Sequence, residues 1–203
     1  QPPTGLPYYE SFEDFTSFTN NQQWFVTNGG GNAWTVTTTA GLTGTNSAKM
    51  ENFGQTSGQV DELESRAIDL SGITSATGTT LSFRYAFRRR AANNSDVLRI
   101  LLSKDCGGSW EVRRTLTAAT MSGSATATSS WTPAQADWVT VHMTNVTSAF
   151  WTPDFRFKFQ LTSGGGNNLY IDDINIYAGA ASNDIVLGLS DLESSVQGVN
   201  LFP

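Results

Sequence analysis

Two long segments of the chain alternate strictly between apolar and polar side chains. Residues 80–88 (TLSFRYAFR) and 154–163 (DFRFKFQLTS) place an aromatic or aliphatic residue at every second position. Successive side chains of a β-strand point to opposite faces, so this period of two predicts strands with one face in a core and the other in water. No segment has the apolar residues three and four positions apart that a long amphipathic helix needs. The chain is therefore predicted to fold from strands.

Ten candidate strands alternate with clusters of Gly, Asn, Ser and Thr. They cover residues 23–28, 33–38, 47–51, 61–70, 80–88, 96–104, 110–117, 138–144, 154–163 and 168–178. Because no helices lie between them, these strands predict an all-β fold, a two-sheet antiparallel β-sandwich of the jelly-roll type. The low-complexity stretch 117–133 is expected to be a surface loop.

The charge balance limits the classes of partner. Only 15% of the residues are charged, the formal net charge is −6 and the isoelectric point is about 4.6. Nucleic-acid binding requires clustered Lys and Arg, so no nucleic-acid partner is expected. The one basic run, Arg88-Arg89-Arg90, precedes a polar loop and is expected to be a solvated strand end. No apolar run approaches the roughly 20 residues of a membrane helix, so no membrane insertion is expected.

The segment SKDCGGSW contains the only cysteine of the chain. It matches the Asp-box pattern S-x-D-x-G-x-[ST]-W, a turn that joins two strands of a hairpin. We expect Asp105 to accept hydrogen bonds from backbone N–H groups of the turn. Gly107 and Gly108 are expected to supply positive φ angles, and Trp110 to pack beneath the turn. Cys106 then lies at a position for which the pattern sets no requirement.

Few residues offer catalytic chemistry. A catalytic triad or a multi-histidine metal site cannot be built from one histidine, His142. A dyad of Cys106 and His142 is formally available, but the sequence around Cys106 supplies no helix N-terminus or fixed positive group to activate the thiol. Paired carboxylates offer a further route, to a small glycoside hydrolase or lyase. The sequence does not place two of them across a cleft.

Acidic pairs lie near both ends of the predicted sandwich. Glu13 and Asp14 belong to YYESFEDF, and Asp172 and Asp173 belong to NNLYIDDINIY. The first and last strands of a jelly roll often lie side by side, which would bring the two pairs together. Adjacent carboxylates repel unless they share a hard cation, and Ca²⁺ takes such oxygens. From this chemistry alone, a calcium site and exposed strand-end acids are equally supported.

Exposed aromatic rings are the other candidate for binding, because carbohydrate modules stack sugar rings on Trp or Tyr. Trp131, in SSWTP, and Trp151, in AFWTP, lie in predicted loops just before prolines. The pair Tyr8 and Tyr9 is the next candidate. The alternative is that the loop tryptophans fold back and cap the sandwich.

Four segments, SFED, AIDLSG, LSFRYAF and LYIDDINIY, together resemble the MAM-like and cleaved-adhesin jelly-roll modules over residues 8–178. The likeness is greatest to the β-sandwich that follows the catalytic domain of secreted Bacteroidetes pappalysin-like zinc metallopeptidases. This resemblance implies a MAM/galactose-binding-like sandwich with a structural Ca²⁺ between its first and last strands. Glu13 or Asp14 and Asp172 or Asp173 would hold the ion. No motif of the catalytic domain is present, so the resemblance implies no peptidase activity for this chain.

The chain is thus predicted to be a non-catalytic, calcium-stabilised accessory or adhesion module of a secreted or cell-surface bacterial protein. Its expected partners are a glycan, an extracellular protein or a neighbouring domain of the same chain. The alternatives are a small glycoside hydrolase or lyase and a purely structural spacer. We expect residues 1–7 to be a linker, 8–178 to form the sandwich, and 179–203 to lead toward a type IX secretion sorting domain, which the tail resembles.

Overall fold

The computed structural model describes residues 2–180, and strands dominate this part of the chain. The strands are β1 (Tyr8–Glu10), β2 (Trp24–Thr27), β3 (Trp34–Thr37), β4 (Ser47–Met50), β5 (Val60–Ser65), β6 (Thr79–Phe87), β7 (Val97–Ser103), β8 (Glu111–Thr117), β9 (Val139–Met143), β10 (Arg156–Thr162) and β11 (Leu169–Ala178). The helical elements are short: α1 (Ala118–Ser122) and two 3₁₀ turns, Gln135–Asp137 and Ser148–Phe150. Within residues 2–180, no helix has the length and apolar character needed to cross a bilayer.

The strands form two sheets. The six-stranded sheet has the order β3–β4–β11–β6–β9, with β1 also paired to β11, and the five-stranded sheet has the order β2–β5–β10–β7–β8. All of these pairings are antiparallel. The predicted two-sheet antiparallel β-sandwich is therefore confirmed.

Aromatic side chains from the alternating segments join the two sheets. Phe83 of β6 packs edge-on against Phe159 of β10, with ring centroids 5.0 Å apart. Within the five-stranded sheet, Trp24 of β2 packs edge-on against Phe157 of β10, at 5.7 Å. All four side chains are buried. Each such ring pair adds about 0.5–1.5 kcal/mol beyond the burial of its area, so the alternation read from the sequence is the pattern that fills the core.

Strand β11 positions the acidic pair. One edge of β11 pairs with β6, and the other pairs with β4 over residues 169–171 and with β1 over residues 174–176. A bulge between Asp172 and Asn175 shifts the register, and Asp173 has a φ of 47°. The first and last strands thus lie side by side, and both aspartates fall in the gap between β4 and β1.

The N-terminal segment differs from the prediction. Residues 2–7 were expected to be a linker, but Thr4 forms a bridge with Ile68, and the Asp69 backbone N–H donates to the Thr4 carbonyl at 2.8 Å. Leu6 packs against the hydrophobic core. The segment therefore belongs to the sandwich, because it pairs with the chain that follows β5.

Three other boundaries differ as well. The strand predicted at 61–70 ends at Ser65, and Tyr8–Glu10 forms a strand that was not predicted. The predicted loop 117–133 begins with α1, which Thr117 caps by accepting a hydrogen bond from the Thr120 backbone N–H. Residues 181–203, most of the second predicted linker, lie outside the described residues.

Candidate functional site

Asp105 holds the hairpin turn between β7 and β8. Its Oδ1 accepts hydrogen bonds from the Ser109 backbone N–H (2.8 Å) and the Ser103 hydroxyl (2.7 Å), and its Oδ2 accepts from the Ser109 hydroxyl (2.6 Å). These hydrogen bonds lower the pKa of Asp105 to about 2, and the bond from the Ser109 hydroxyl has the largest effect. The carboxylate therefore stabilises the turn through local hydrogen bonds, as in an Asx-turn.

Positive φ angles in this turn belong to Cys106 (57°) and Gly107 (90°). The prediction that Gly108 has one is wrong, because the left-handed pair begins one residue earlier. Gly107 faces the ring of Trp110, and Cys106 is exposed. His142 is exposed on β9, in the other sheet. The segment is thus a structural hairpin in which Asp105, and not the thiol, makes the hydrogen bonds.

Asp172 and Asp173 are buried beside the loop that precedes β4. Asp172 Oδ2 accepts from the backbone N–H groups of Leu42 (2.7 Å) and Thr43 (3.3 Å). Asp173 accepts from the hydroxyls of Tyr9 (2.7 Å) and Thr43 (2.9 Å). The pKa of Asp172 is raised to about 8, mainly by burial and secondly by the charge of Asp173. A bound cation would favour the ionised form of such a carboxyl group.

Glu13 contacts the same loop. Its Oε1 accepts from the backbone N–H groups of Thr45 (3.0 Å) and Asn46 (2.6 Å). Asp14 is exposed, and its charge acts on Glu10, whose pKa is raised mainly by burial and further by Asp14. The loop 42–46 therefore brings Glu13, but not Asp14, toward the two aspartates of β11.

The donor chemistry of these side chains fits Ca²⁺. Glu13, Asp172 and Asp173 supply oxygen ligands only, which Ca²⁺ prefers together with backbone carbonyls and water. In residues 2–180, no three acidic, His or Cys side chains lie as close together as a metal site requires. Glu13 therefore does not share one metal-sized site with both aspartates, and an ion held by Asp172 and Asp173 would need backbone or water oxygens to complete its shell. Calcium binding stays a prediction.

A pocket of about 340 Å³ lies between α1, the end of β6 and the segment that carries Trp131. The guanidinium of Arg88 lies 4.9 Å above the centroid of the Trp131 ring and donates a hydrogen bond to Asp137 at 2.7 Å. Tyr170 packs edge-on against the same ring at 6.1 Å. The hydroxyl of Ser122 lies on the α1 side of the pocket. The expectation that Arg88 is a solvated strand-end charge is therefore wrong.

The charges of this pocket have fixed partners. Burial alone would raise the pKa of Asp137, but hydrogen bonds from the Ala134 backbone N–H (2.8 Å) and from Arg88 outweigh it and lower the pKa. Asp137 is thus an ionised acceptor and Arg88 a donor. The half-buried Trp131 ring, which also packs on the cluster of Ala40, Ala86 and Tyr170, lines one small concave surface together with this ion pair.

The other predicted aromatic residues lie elsewhere. Tyr8 is buried against Phe157, with ring centroids 6.3 Å apart, so its prediction as a surface ring is wrong. Tyr9 is 41% exposed, but its hydroxyl is bound to Asp173. Trp151 is half-buried against the core, and its indole N–H donates to the Val146 carbonyl at 3.1 Å. Trp151 therefore caps the sandwich, which was the alternative to an exposed binding ring.

No protein-family sequence model matches the chain, and no curated protein sequence matches it. Solved structures do match it. The K2 cleaved adhesin domain of Lys-gingipain has a TM-score of 0.62 at 16% identity, covering 86% of this chain and 99% of that one. The K3 domain of Lys-gingipain from Porphyromonas gingivalis has a TM-score of 0.59 at 16% identity, covering 85% and 98%.

A third match is the CBM22-1–GH10 portion of xylanase 10B from Clostridium thermocellum, complexed with xylohexaose. Its TM-score is 0.53 at 13% identity, and the match covers 87% of this chain and 29% of that one. At these identities the likeness establishes a shared fold. The chain therefore has the cleaved-adhesin-like β-sandwich fold, which agrees with the cleaved-adhesin part of the resemblance read from its sequence.

Proposed function

We propose that the chain is a non-catalytic carbohydrate-binding module of a larger secreted or cell-surface protein. The observation that carries this proposal is the pocket in which Trp131, Arg88 and Asp137 lie together. A sugar ring presents an apolar face and a rim of hydroxyl groups. A site for it therefore combines an aromatic ring with a few polar groups of fixed direction, and this pocket has both.

The Arg88–Asp137 pair would bind hydroxyl groups as donor and acceptor. Two adjacent hydroxyl groups of a sugar would bind the two members of the pair, one accepting from Arg88 and one donating to Asp137. Such hydrogen bonds to charged groups are stronger than those between neutral groups. Because Arg88 and Tyr170 both pack on Trp131, the ring is oriented before a ligand arrives, which lowers the entropy cost of binding. A pocket of about 340 Å³ suits roughly one or two sugar units of a longer glycan.

The fold neighbours support a binding role rather than catalysis. Two of them are cleaved adhesin domains, and the third contains a CBM22-1 module in a protein complexed with xylohexaose. We extend the proposal to the setting that the sequence suggests, a MAM-like module of a bacterial protein exported by type IX secretion. In that setting a zinc metallopeptidase domain would precede the module, and any peptidase activity would reside there.

We also propose a structural Ca²⁺ held by Asp172 and Asp173, with backbone or water oxygens completing its shell. The support is that both aspartates accept hydrogen bonds from the loop 42–46, together with the raised pKa of Asp172. When bound, the ion supplies positive charge that favours the ionised carboxylates. The chain's own residues would then join β1, β11 and the loop 42–46 at one point.

A glycan array tests the carbohydrate proposal. The wild-type protein should bind a defined class of glycan, and Trp131→Ala should lose at least tenfold in signal for the same glycans. Phe25→Ala is the matched control, because it removes a 41% exposed ring from β2, on a different surface. Both variants should retain the circular dichroism of the wild type. A wild type that binds no glycan, or a Trp131→Ala variant that binds as the wild type does, would contradict the proposal.

A further inference from the structure

A second concave surface, the edge groove, lies along β2, β3 and the loop 16–21. Its volume is about 680 Å³, and it is lined by residues 16–21, 24–26 and 33–36. Trp24 and Trp34 line it through their strands, with side chains at most 2% exposed, and Phe25 is the exposed ring among its lining residues. None of the lining residues is charged. The groove therefore favours an uncharged occupant, since a charge placed there would lose water without gaining an ion pair.

The strands that border the edge groove are edge strands of opposite sheets. In the sheet order, β2 pairs with β5 alone and β3 pairs with β4 alone. The Arg66 backbone N–H donates to the Gln23 carbonyl at 2.7 Å, and the Glu51 backbone N–H donates to the Ala33 carbonyl at 3.5 Å. Backbone groups of an antiparallel strand point alternately toward and away from the paired strand. Those of Val26 therefore point away from the paired strand, toward the groove.

The same alternation applies to β3, where the backbone groups of Trp34 and Val36 point away from β4. On β2 the Trp24 N–H is already bound by the Asn21 side chain at 3.1 Å. The N–H and carbonyl groups of Trp34 and Val36 on β3, and those of Val26 on β2, thus present short rows of strand-type donors and acceptors, two residues and one residue long, at one groove. Such rows are the template on which a further strand pairs.

The composition of the two edges supports this reading. The sequences of β2 (WFVT) and β3 (WTVT) contain neither a charge nor a proline. At the far edge of the five-stranded sheet, β8 (EVRRTLT) carries Glu111, Arg113 and Arg114. Charged residues and prolines are the usual protection of an exposed edge against pairing. The chain protects β8 in this way, whereas β2, β3 and the remaining edge strand β9 (VTVHM) carry no Asp, Glu, Lys, Arg or Pro; of these, β2 and β3 border the groove.

We propose that the edge groove binds an extended, uncharged peptide segment of a partner protein as an added strand. Backbone hydrogen bonds to Val26 and Val36 would supply affinity, and every second side chain of the peptide would face the uncharged lining of the groove. Since β2 and β3 are four residues long each, the paired part of the peptide would be about as short. This activity is separate from the Trp131 pocket and does not depend on it.

The test uses a blocked octapeptide of alternating threonine and valine, titrated into the chain by calorimetry. The wild type should bind it, and two variants should each weaken binding at least tenfold. Val26→Pro removes the outward N–H of β2. Thr35→Lys places a charge on an exposed position of β3 that lines the groove. Thr115→Lys, the same change on an exposed position of β8, should bind as the wild type does.

Folding and site identity are checked in the same experiment. The circular dichroism and Tm of each variant, matched to those of the wild type, check that the variant is folded. Absence of peptide binding by the wild type, or equal binding by Thr35→Lys and Thr115→Lys, would overturn the proposal. Binding of a neutral hexasaccharide such as cellohexaose that is lost in Thr35→Lys but kept in Trp131→Ala would also overturn it, because the groove would then be a sugar site.

Discussion

The proposed calcium site predicts that the stability of the metal-free protein depends steeply on pH. The pKa of Asp172 is raised from 3.8 to about 8, first by burial and then by the charge of Asp173. The folded state binds this proton more tightly than the unfolded state does. The resulting stabilisation is complete at pH values below the unfolded-state pKa, and it is lost as the pH rises to the folded-state pKa. The difference is about 4 pH units at about 1.36 kcal/mol each, on the order of 5 kcal/mol over the whole range, of which roughly 4 kcal/mol falls between about pH 5 and about pH 8.

Bound calcium should oppose this loss. Ca²⁺ binds the ionised carboxylates rather than the protonated ones, so its affinity rises over the pH range in which the metal-free protein weakens. At a concentration about 100-fold above Kd, the ion should add about 2.7 kcal/mol to the free energy of unfolding. Urea unfolding at about pH 5 and about pH 8, in EDTA and in Ca²⁺, measures both effects.

Asp172→Asn is the matched control for this experiment. The amide keeps the shape of the side chain but cannot ionise, and its NH₂ group must face backbone donors that the carboxylate oxygens now accept from. That mismatch costs about 1–3 kcal/mol at every pH. The variant should therefore show a flatter pH dependence in EDTA and no response to Ca²⁺. Equal pH slopes for the two proteins in EDTA, or equal stabilisation of both by Ca²⁺, would refute the reasoning.

Two further substitutions test contacts that fold the molecule. Asp105→Ala removes the acceptor of three hydrogen bonds and should lower the Tm, whereas Cys106→Ser should leave it unchanged; equal Tm values would contradict the structural role of the carboxylate. Because the pKa of Asp105 is lowered to about 2, the Tm difference should be present above about pH 4 and shrink toward pH 2. Gly166→Ala would place a Cβ 2.3 Å from Oδ2 of the buried Asp96, which should cost about 1–3 kcal/mol in urea unfolding; a loss below about 0.5 kcal/mol would contradict this close approach.

The sequence predicted the parts of the fold that local periodicity determines. Strands β6 and β10 were found because their apolar residues recur every second position and face the core. Strand β1 was missed because three residues are too short for a period to show. Glu10, buried at the end of β1, gave no signal either. Its acceptor oxygens bind the Phe12 backbone N–H at 2.7 Å and the Trp24 indole N–H at 3.1 Å, and only the folded chain brings these donors together.

The candidate sites were predicted in part, for the same reason. The pairing of first and last strands in a jelly roll was enough to expect Asp172 and Asp173 near the N-terminal acids. It could not select Glu13 over Asp14, because the selection depends on the loop 42–46. Trp131 was a candidate from its place in a loop. Its partners Arg88 and Asp137 are 43 and 6 positions away along the chain, and no pattern in the sequence connects them.

The central claim is that the chain binds carbohydrate at the Trp131 pocket, and the indole N–H signals of its six tryptophans test it most directly. The strongest ligand from the glycan array would be titrated into ¹⁵N-labelled protein, with Trp131→Phe used to assign the Trp131 signal. The Trp131 signal should shift with saturation, because its ring lines the pocket, while that of Trp110, on the turn after β7, should stay in place. A saturable titration that leaves the Trp131 signal unmoved would contradict the account.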